Sequence, residues 1–199
     1  MSEPRTLLQM AGVNPSPAKL SDADIIIIDA QNEYVSGKLP LDGVEAALDN
    51  IAKLLKTARA VGAPIVHIQQ RGRTGGLFDP DGDGFKIAPR AAPEKGESII
   101  EKSLPNSFAK TGLQLVIQAT GRNSLVLAGF MTHMCVSATA RSALDHGYQT
   151  TIAADAVATR ALPDPLGGPA ISAAQIHRTA LAELADRFAT IARISDLKA

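Results

Sequence analysis

The sequence predicts an α/β protein, a three-layer αβα architecture around a central, mostly parallel sheet. Three observations carry that prediction. Short apolar runs such as Ile25–Ile28 show no polar alternation, as strands buried on both faces do. Between them lie stretches whose apolar residues recur three and four apart, the period of a helix with one buried face. The two patterns alternate to the end without repeats, so the strands are joined by crossovers and lie parallel.

Residues 1–20 carry prolines at 4, 15 and 17 and no steady period, and are expected to form an N-terminal arm packed on a neighbouring subunit. Residues 21–199 are expected to be a single domain. Asp24 leads into the first strand, which ends at Asp29. Val44, Ala47, Leu48, Ile51, Leu54, Leu55, Ala58 and Val61 define a helix, with Asp42 as its cap and Gly62 and Pro64 as its stop. Ile65–Gln69 is the next strand. Residues 71–98 form a long loop, and loops of that length in small domains are usually lids or partner contacts. Within it, Asp79–Gly84 looks like the start of a calcium loop, but its twelfth position is Arg90 where a bidentate Glu is required, so solvated aspartates in a turn are expected.

Ser98–Lys102 resumes as a short strand. Phe108–Thr120 has helical spacing and is closed by Gly121. Ser124–Ala128 is a buried strand, and a helical pattern starts at Cys135. Thr150–Ala154 is a strand with Asp155 at its end, Ala173–Leu184 a helix, and Thr190–Ile194 the last strand.

Composition excludes several classes of function. Of the 199 residues, 45% are hydrophobic and 20% charged, and twenty basic residues balance twenty acidic ones. No basic stripe marks a nucleic-acid surface. No apolar run approaches a membrane span, and the N-terminal residues lack the layout of a signal peptide. A single cysteine forms no internal disulfide, which suits a reducing compartment; a cytoplasmic protein is expected.

Parallel sheets bind ligands beyond the carboxyl ends of their strands. Asp29 and Cys135 both fall there. The cysteine sits where a strand has ended and a helix begins, so the helix dipole favours its thiolate; a lone cysteine in that place is otherwise a small buried hydrophobe. An acid, a thiol and a cation together suit nucleophilic catalysis. Lys102 is the best-placed cation, although the residues alone do not separate it from Lys95 or Lys110.

Three blocks of this sequence, Ile28–Tyr34, Glu101–Lys102 and Gly129–Val136, resemble the signature segments of the isochorismatase-like cysteine hydrolases. The similarity runs from about residue 22 to 195. It implies Cys135 as nucleophile, Asp29 as general base and acid, and Lys102 as charge partner. It further implies a cis peptide between Phe130 and Met131, with the Met131 and Cys135 amides forming an oxyanion hole. The reaction so implied is hydrolysis of a small amide or related C–N bond through a thioester.

The departures are informative. Glu33 and Tyr34 stand where the family usually has Asp and Phe, which puts a hydroxyl near the pocket. The nicotinamidase branch binds metal through an Asp-x-His pair after the second strand. Here that region is His67–Ile68–Gln69–Gln70–Arg71, so no metal and no cofactor are expected. Tyr34, Phe130, Thr132, His133 and Phe108 are candidate substrate contacts by position, with ordinary packing as their alternative. A His133-x-Cys135 pair supplies too few ligands for zinc, His67 is expected to be a hydrogen-bonded core histidine, and Asp155 to fix a loop or the lysine. Two other functions stay open: isochorismatase-type vinyl ether cleavage with Asp29 as proton donor, and a non-catalytic binding protein on the same fold. The expected partners are a small-molecule substrate and further copies of the chain.

Overall fold

The four isoleucines of the first strand decide the layering. The computed structural model describes residues 3–199, and in it β1 (Ala23–Ile28) is buried along its whole length. Ile25 and Ile27 face one core, with the α2 helix (Val44–Ala60), and Ile26 and Ile28 face the other. Apolar side chains on both faces leave no surface for water, so helices must cover both sides.

The remaining strands are β2 (Ile65–Gln70), β3 (Ser98–Lys102), β4 (Ser124–Phe130), β5 (Gln149–Ala158) and β6 (Thr190–Ala192). They pair in the order β3-β2-β1-β4-β5-β6, every neighbour parallel. The α3 (Leu113–Thr120), α4 (Ser137–Asp145) and α5 (Ala173–Arg187) helices supply Leu113, Ile117, Ala140, Ala143 and Leu184 to the core opposite α2. β1 and β4 are central neighbours, and from them the chain winds outward in opposite directions. That reversal opens a crevice at their carboxyl ends.

Gly129 shows how tightly these two strands approach there. It has φ of 109°, and a Cβ on it would lie 2.0 Å from the Ile28 carbonyl oxygen. Only glycine fits.

Several boundaries differ from the sequence expectation. Asp42 does not cap α2. Its amide donates to the Thr159 carbonyl, and Gly43, with φ of 72°, takes the cap position. The 108–120 segment is helical only from Leu113, because Lys110 has φ of 58° and the Thr111 hydroxyl binds the Ser107 carbonyl instead of leaving it to a helix. β5 runs on through Asp155 to Ala158: while β4 advances from Leu127 to Gly129, β5 advances from Ile152 to Val157, a bulge that lifts Asp155 out of the ladder. Its carboxylate there accepts the Ile194 amide, and the last strand ends at Ala192.

The described part of the N-terminal arm lies on its own chain. The short α1 helix (Leu7–Met10) carries a Thr6–Gln9 capping box, the Leu7 amide donates to Asp186 of α5, and the Ala18 amide to Thr151 of β5.

Candidate active site

The crevice between β1 and β4 receives one reactive side chain from each of three strand ends. Asp29 follows β1 in a left-handed conformation, φ 49°, and is fully buried. Lys102 ends β3 and is 3% exposed. Cys135 lies in the π-helical turn Thr132–Val136 that joins β4 to α4 and is 6% exposed. Lys102 Nζ stands 2.7 Å from Asp29 Oδ2 and donates to Cys135 Sγ at 3.3 Å. Its remaining hydrogen bond goes to Gln70 Oε1, at 2.7 Å. The lysine is in ion-pair contact with Asp29 but off the hydrogen-bonding direction, so both carboxylate oxygens lack an aligned donor. Lys95 and Lys110 have no such contacts.

Three ionisable groups sealed from water shift one another. Burial pushes the Asp29 carboxyl above its ordinary range, against the pull of the Lys102 charge. Burial and the neighbouring Asp29 charge push the Cys135 thiol up to about 12, with Lys102 opposing. These causes act against the helix dipole, which favours the thiolate. Desolvation and the Asp29 charge favour the protonated sulfur, beside the carboxylate that can accept its proton.

The Phe130–Met131 peptide is cis. Met131 directs its carbonyl to the Met134 and Val136 amides, which closes the turn that presents Cys135.

Of the candidate pocket residues, two are core. Phe130 is fully buried on the α2 side, edge-on to Tyr34 at 5.7 Å. Phe108 stacks on Tyr148 and lies tilted against His146, at the far end of α4. Thr132 is also fully buried, its hydroxyl 3.0 Å from His177 Nδ1 of α5.

Tyr34 and His133 stay close to the chemistry. The Tyr34 phenol is held far above its usual range by burial and by the Asp29 and Cys135 charges, with Arg160 pulling the other way. His133 Nδ1 is 2.5 Å from the Thr159 hydroxyl, and its Nε2 is buried without a partner. Burial and the Arg160 cation lower its pKa, so it is neutral near pH 7.

Arg160, just past β5, was not a sequence candidate. Its Nη1 donates to the Ala161 carbonyl, its Nε is buried and unpartnered, and among the described residues it makes no ion pair. Its charge acts on both the Tyr34 phenol and the His133 ring. In sequence it looks like any loop cation. Gln31 lies inside the first signature-like block and Gln70 in the stretch read for metal ligands, but neither was singled out from sequence.

Glu33, one of the departures, is 3% exposed and structural. Its oxygens accept the Lys38 and Phe78 amides, and a Cβ on Gly84 would lie 2.1 Å from Oε2. Together with Gln31 and Gln69, both donating to the Phe85 carbonyl at 2.7 Å, it pins the 71–98 loop against the end of β1. His67 is a core histidine bound to Glu97, as expected. Asp79 accepts the Gly75 and Asp81 amides within an exposed turn. Asp155 meets neither a lysine nor the sulfur.

A cavity of about 370 Å³ lies between α2, β5 and α5 and is lined by Asp42, Asp155, Thr159 and His177. It touches none of the three reactive groups, so the chemistry rather than the volume locates the site. No helix among the described residues is long and apolar enough to cross a membrane.

Comparison with known proteins shows the family and the fold. The isochorismatase domain model matches residues 24–196. A crystal structure of an isochorismatase from Pseudomonas putida KT2440 superposes with a TM-score of 0.94 at 46% identity, covering 98% of this chain and all of that one. The secreted isochorismatase effector Isc1 of Verticillium dahliae is 40% identical over 189 residues, 94% of this chain and 96% of its own. The maleamate amidohydrolase of Pseudomonas putida is 29% identical over 153 residues, 68% of this chain and 72% of its own. The family includes hydrolases, amidohydrolases among them, and the chain belongs to the isochorismatase family.

Proposed function

We propose that this protein is a cysteine hydrolase that cleaves a small amide bearing a negative charge, through a thioester on Cys135. The observation that carries the reading is the contact of Lys102 with both Asp29 and Cys135 inside a sealed crevice. The sulfur proton passes to Asp29 as sulfur attacks the amide carbon, and the S–C bond forms. The oxygen of that carbon takes the negative charge, and the Met131 and Cys135 amides are the donors assigned to it; loss of one such donor typically costs about 2.7–4 kcal/mol of barrier. Asp29 then gives its proton to the leaving nitrogen, the C–N bond breaks, and the amine departs. Water attacks the thioester while Asp29 takes its proton, and that proton returns to sulfur as the acid leaves. Asp29 is thus base, then acid, then base and acid again. Lys102 keeps its charge throughout and offsets whichever partner is negative.

The raised Asp29 carboxyl suits this cycle, because a group that must hold a proton between steps needs a pKa nearer neutrality than a free carboxylate. Arg160 and the vacant His133 Nε2 support an anionic group on the substrate, as does a relative named for maleamate, an amide carrying a carboxylate. The donors where the nicotinamidase branch holds metal are Gln69 and Gln70, already bound to the Phe85 carbonyl and to Lys102. They do not fit a metal, and every step is written without one.

The test is a panel of small amides with and without a carboxylate, plus isochorismate, run on wild type and Cys135→Ala, with intact-mass trapping of the acyl-enzyme. An acyl adduct confined to Cys135 is expected. Isochorismate turnover that survives Cys135→Ala would move the assignment to vinyl ether cleavage. A protein inert to the whole panel and to thiol reagents would be a binding protein on this fold.

A further inference from the structure

We propose that Gln70 is a positioning residue that holds the Lys102 ammonium on the sulfur, and that Gln31 holds Gln70. The inference rests on the cysteine-hydrolase reading, because it concerns how that reading's sulfur anion is supported.

Gln70 ends β2 and pairs in register with Lys102, which ends β3. The two side chains therefore leave adjacent parallel strands side by side, and Nζ reaches Gln70 Oε1 at 2.7 Å. An ammonium has three donors, and three acceptors surround this one: Gln70 Oε1, Cys135 Sγ and Asp29 Oδ2. Two of the three change protonation during the reaction. Only the carboxamide is constant. A lysine head is a point charge on a flexible stem, so a fixed acceptor is what stops it following Asp29 each time that carboxylate regains its charge.

Gln70 is itself clamped. The backbone of β1 leaves the sheet at Asp29, and the fully buried Gln31 side chain takes over the ladder to β2. Its Oε1 accepts the Gln70 amide at 2.8 Å, and its Nε2 donates to the Gln70 carbonyl at 3.0 Å. A side-chain amide thus stands in for a peptide group. The same Nε2 donates to the Phe85 carbonyl, which ties the clamp to the 71–98 loop.

Two variants test this without a known substrate. Gln70→Met keeps the volume and removes the acceptor. Gln70→Glu keeps the acceptor and adds a negative charge beside the sulfur. Alkylation of Cys135 by iodoacetamide, followed by mass spectrometry from pH 6 to 10, is expected to slow about tenfold or more in Gln70→Met at pH 8, with an unchanged melting midpoint. In Gln70→Glu the whole rate–pH curve is expected to move to higher pH. Wild-type alkylation kinetics in Gln70→Met, or slowing matched by a fall in melting midpoint, would overturn the proposal. If Gln70→Met does not fold, an unmoved curve in Gln70→Glu does the same. A wild-type protein that forms no acyl adduct on Cys135 with any amide of the panel would instead overturn the hydrolase reading itself.

Discussion

β1 carries a buried carboxylate at each end, Asp24 before its isoleucines and Asp29 after them, and the two do different work. Both are fully buried, and burial pushes both carboxyls upward. Asp24 accepts the Thr120 hydroxyl at 2.9 Å and feels the Arg122 charge, while Arg122 itself donates to the Ala23 carbonyl. Asp29 faces an ammonium and a thiol. Desolvation is therefore common to both and confers no chemistry alone. The difference lies in the neighbour: a threonine hydroxyl does not ionise, whereas a thiol does. Position decides which neighbour is met, because only the carboxyl end of β1 opens onto the crevice where strand order reverses.

The largest way to break the comparison is to remove the partner that makes Asp29 special. Cys135→Ala is expected to abolish amide turnover, a loss of about 10⁶-fold if the nucleophile acts as one unit with its base. A steady-state assay on the best amide of the panel measures it, and residual turnover within a hundredfold of wild type would contradict a thioester route.

Asp29→Asn sharpens the comparison further, because its two readouts should move in opposite directions. The Asp29 charge is one of the causes holding the Cys135 thiol up. Without it Lys102 acts alone on the sulfur, the thiol pKa falls, and iodoacetamide alkylation at pH 8 speeds up. Turnover falls nonetheless, by about 10²–10⁴-fold, for want of a group to protonate the leaving nitrogen. If both rates fell together, loss of the base that takes the sulfur proton would outweigh loss of the charge that holds the thiol up.

Arg160→Gln comes next in size. Loss of a charge-assisted contact to a substrate anion is worth roughly 1.5–3 kcal/mol, so KM for carboxylate-bearing amides should rise about tenfold to a hundredfold with kcat little changed. Neutral amides should be untouched. Equal loss on both would place Arg160 outside the substrate contacts.

These contrasts mark what the sequence could disclose. Ile25–Ile28 and the alternation of periods announce a parallel sheet, and the carboxyl-end rule then puts Asp29 and Cys135 at one edge. The convergence of Lys102 needed the family resemblance, because a lysine after a five-residue strand has no periodic signal. Phe108 was offered as a pocket residue by position alone, and its ring packs on Tyr148. β5 was read short because Asp155 looks like a strand end, when it is a bulge bound to the Ile194 amide. The sulfur feels more than the helix end: a helix-end argument counts one partial charge, and the site also holds the Asp29 carboxylate, 2.7 Å from Lys102. Gln31, Gln70 and Arg160 act through contacts between distant segments, which no local pattern encodes.

Asp24→Asn is the smallest expected effect and the control for all the others. The Asp24 carboxyl is raised from 3.8 by burial, so the folded chain binds that proton more tightly than the unfolded one. Stability therefore declines as pH rises from the unfolded value through the raised one, and neutral pH carries the full penalty. Asparagine keeps an oxygen for the Thr120 hydroxyl and removes the charge. The variant should be more stable than wild type near pH 7, by about 1 kcal/mol, the scale of one buried polar contact, and the gap should close near pH 4. Chemical denaturation at the two pH values reads this, and turnover should stay within about twofold. A variant less stable at pH 7 than at pH 4, relative to wild type, would mean that the Arg122 attraction outweighs burial. Asp24 would then be a paired ion like Asp29, and the two ends of β1 would differ only in the thiol.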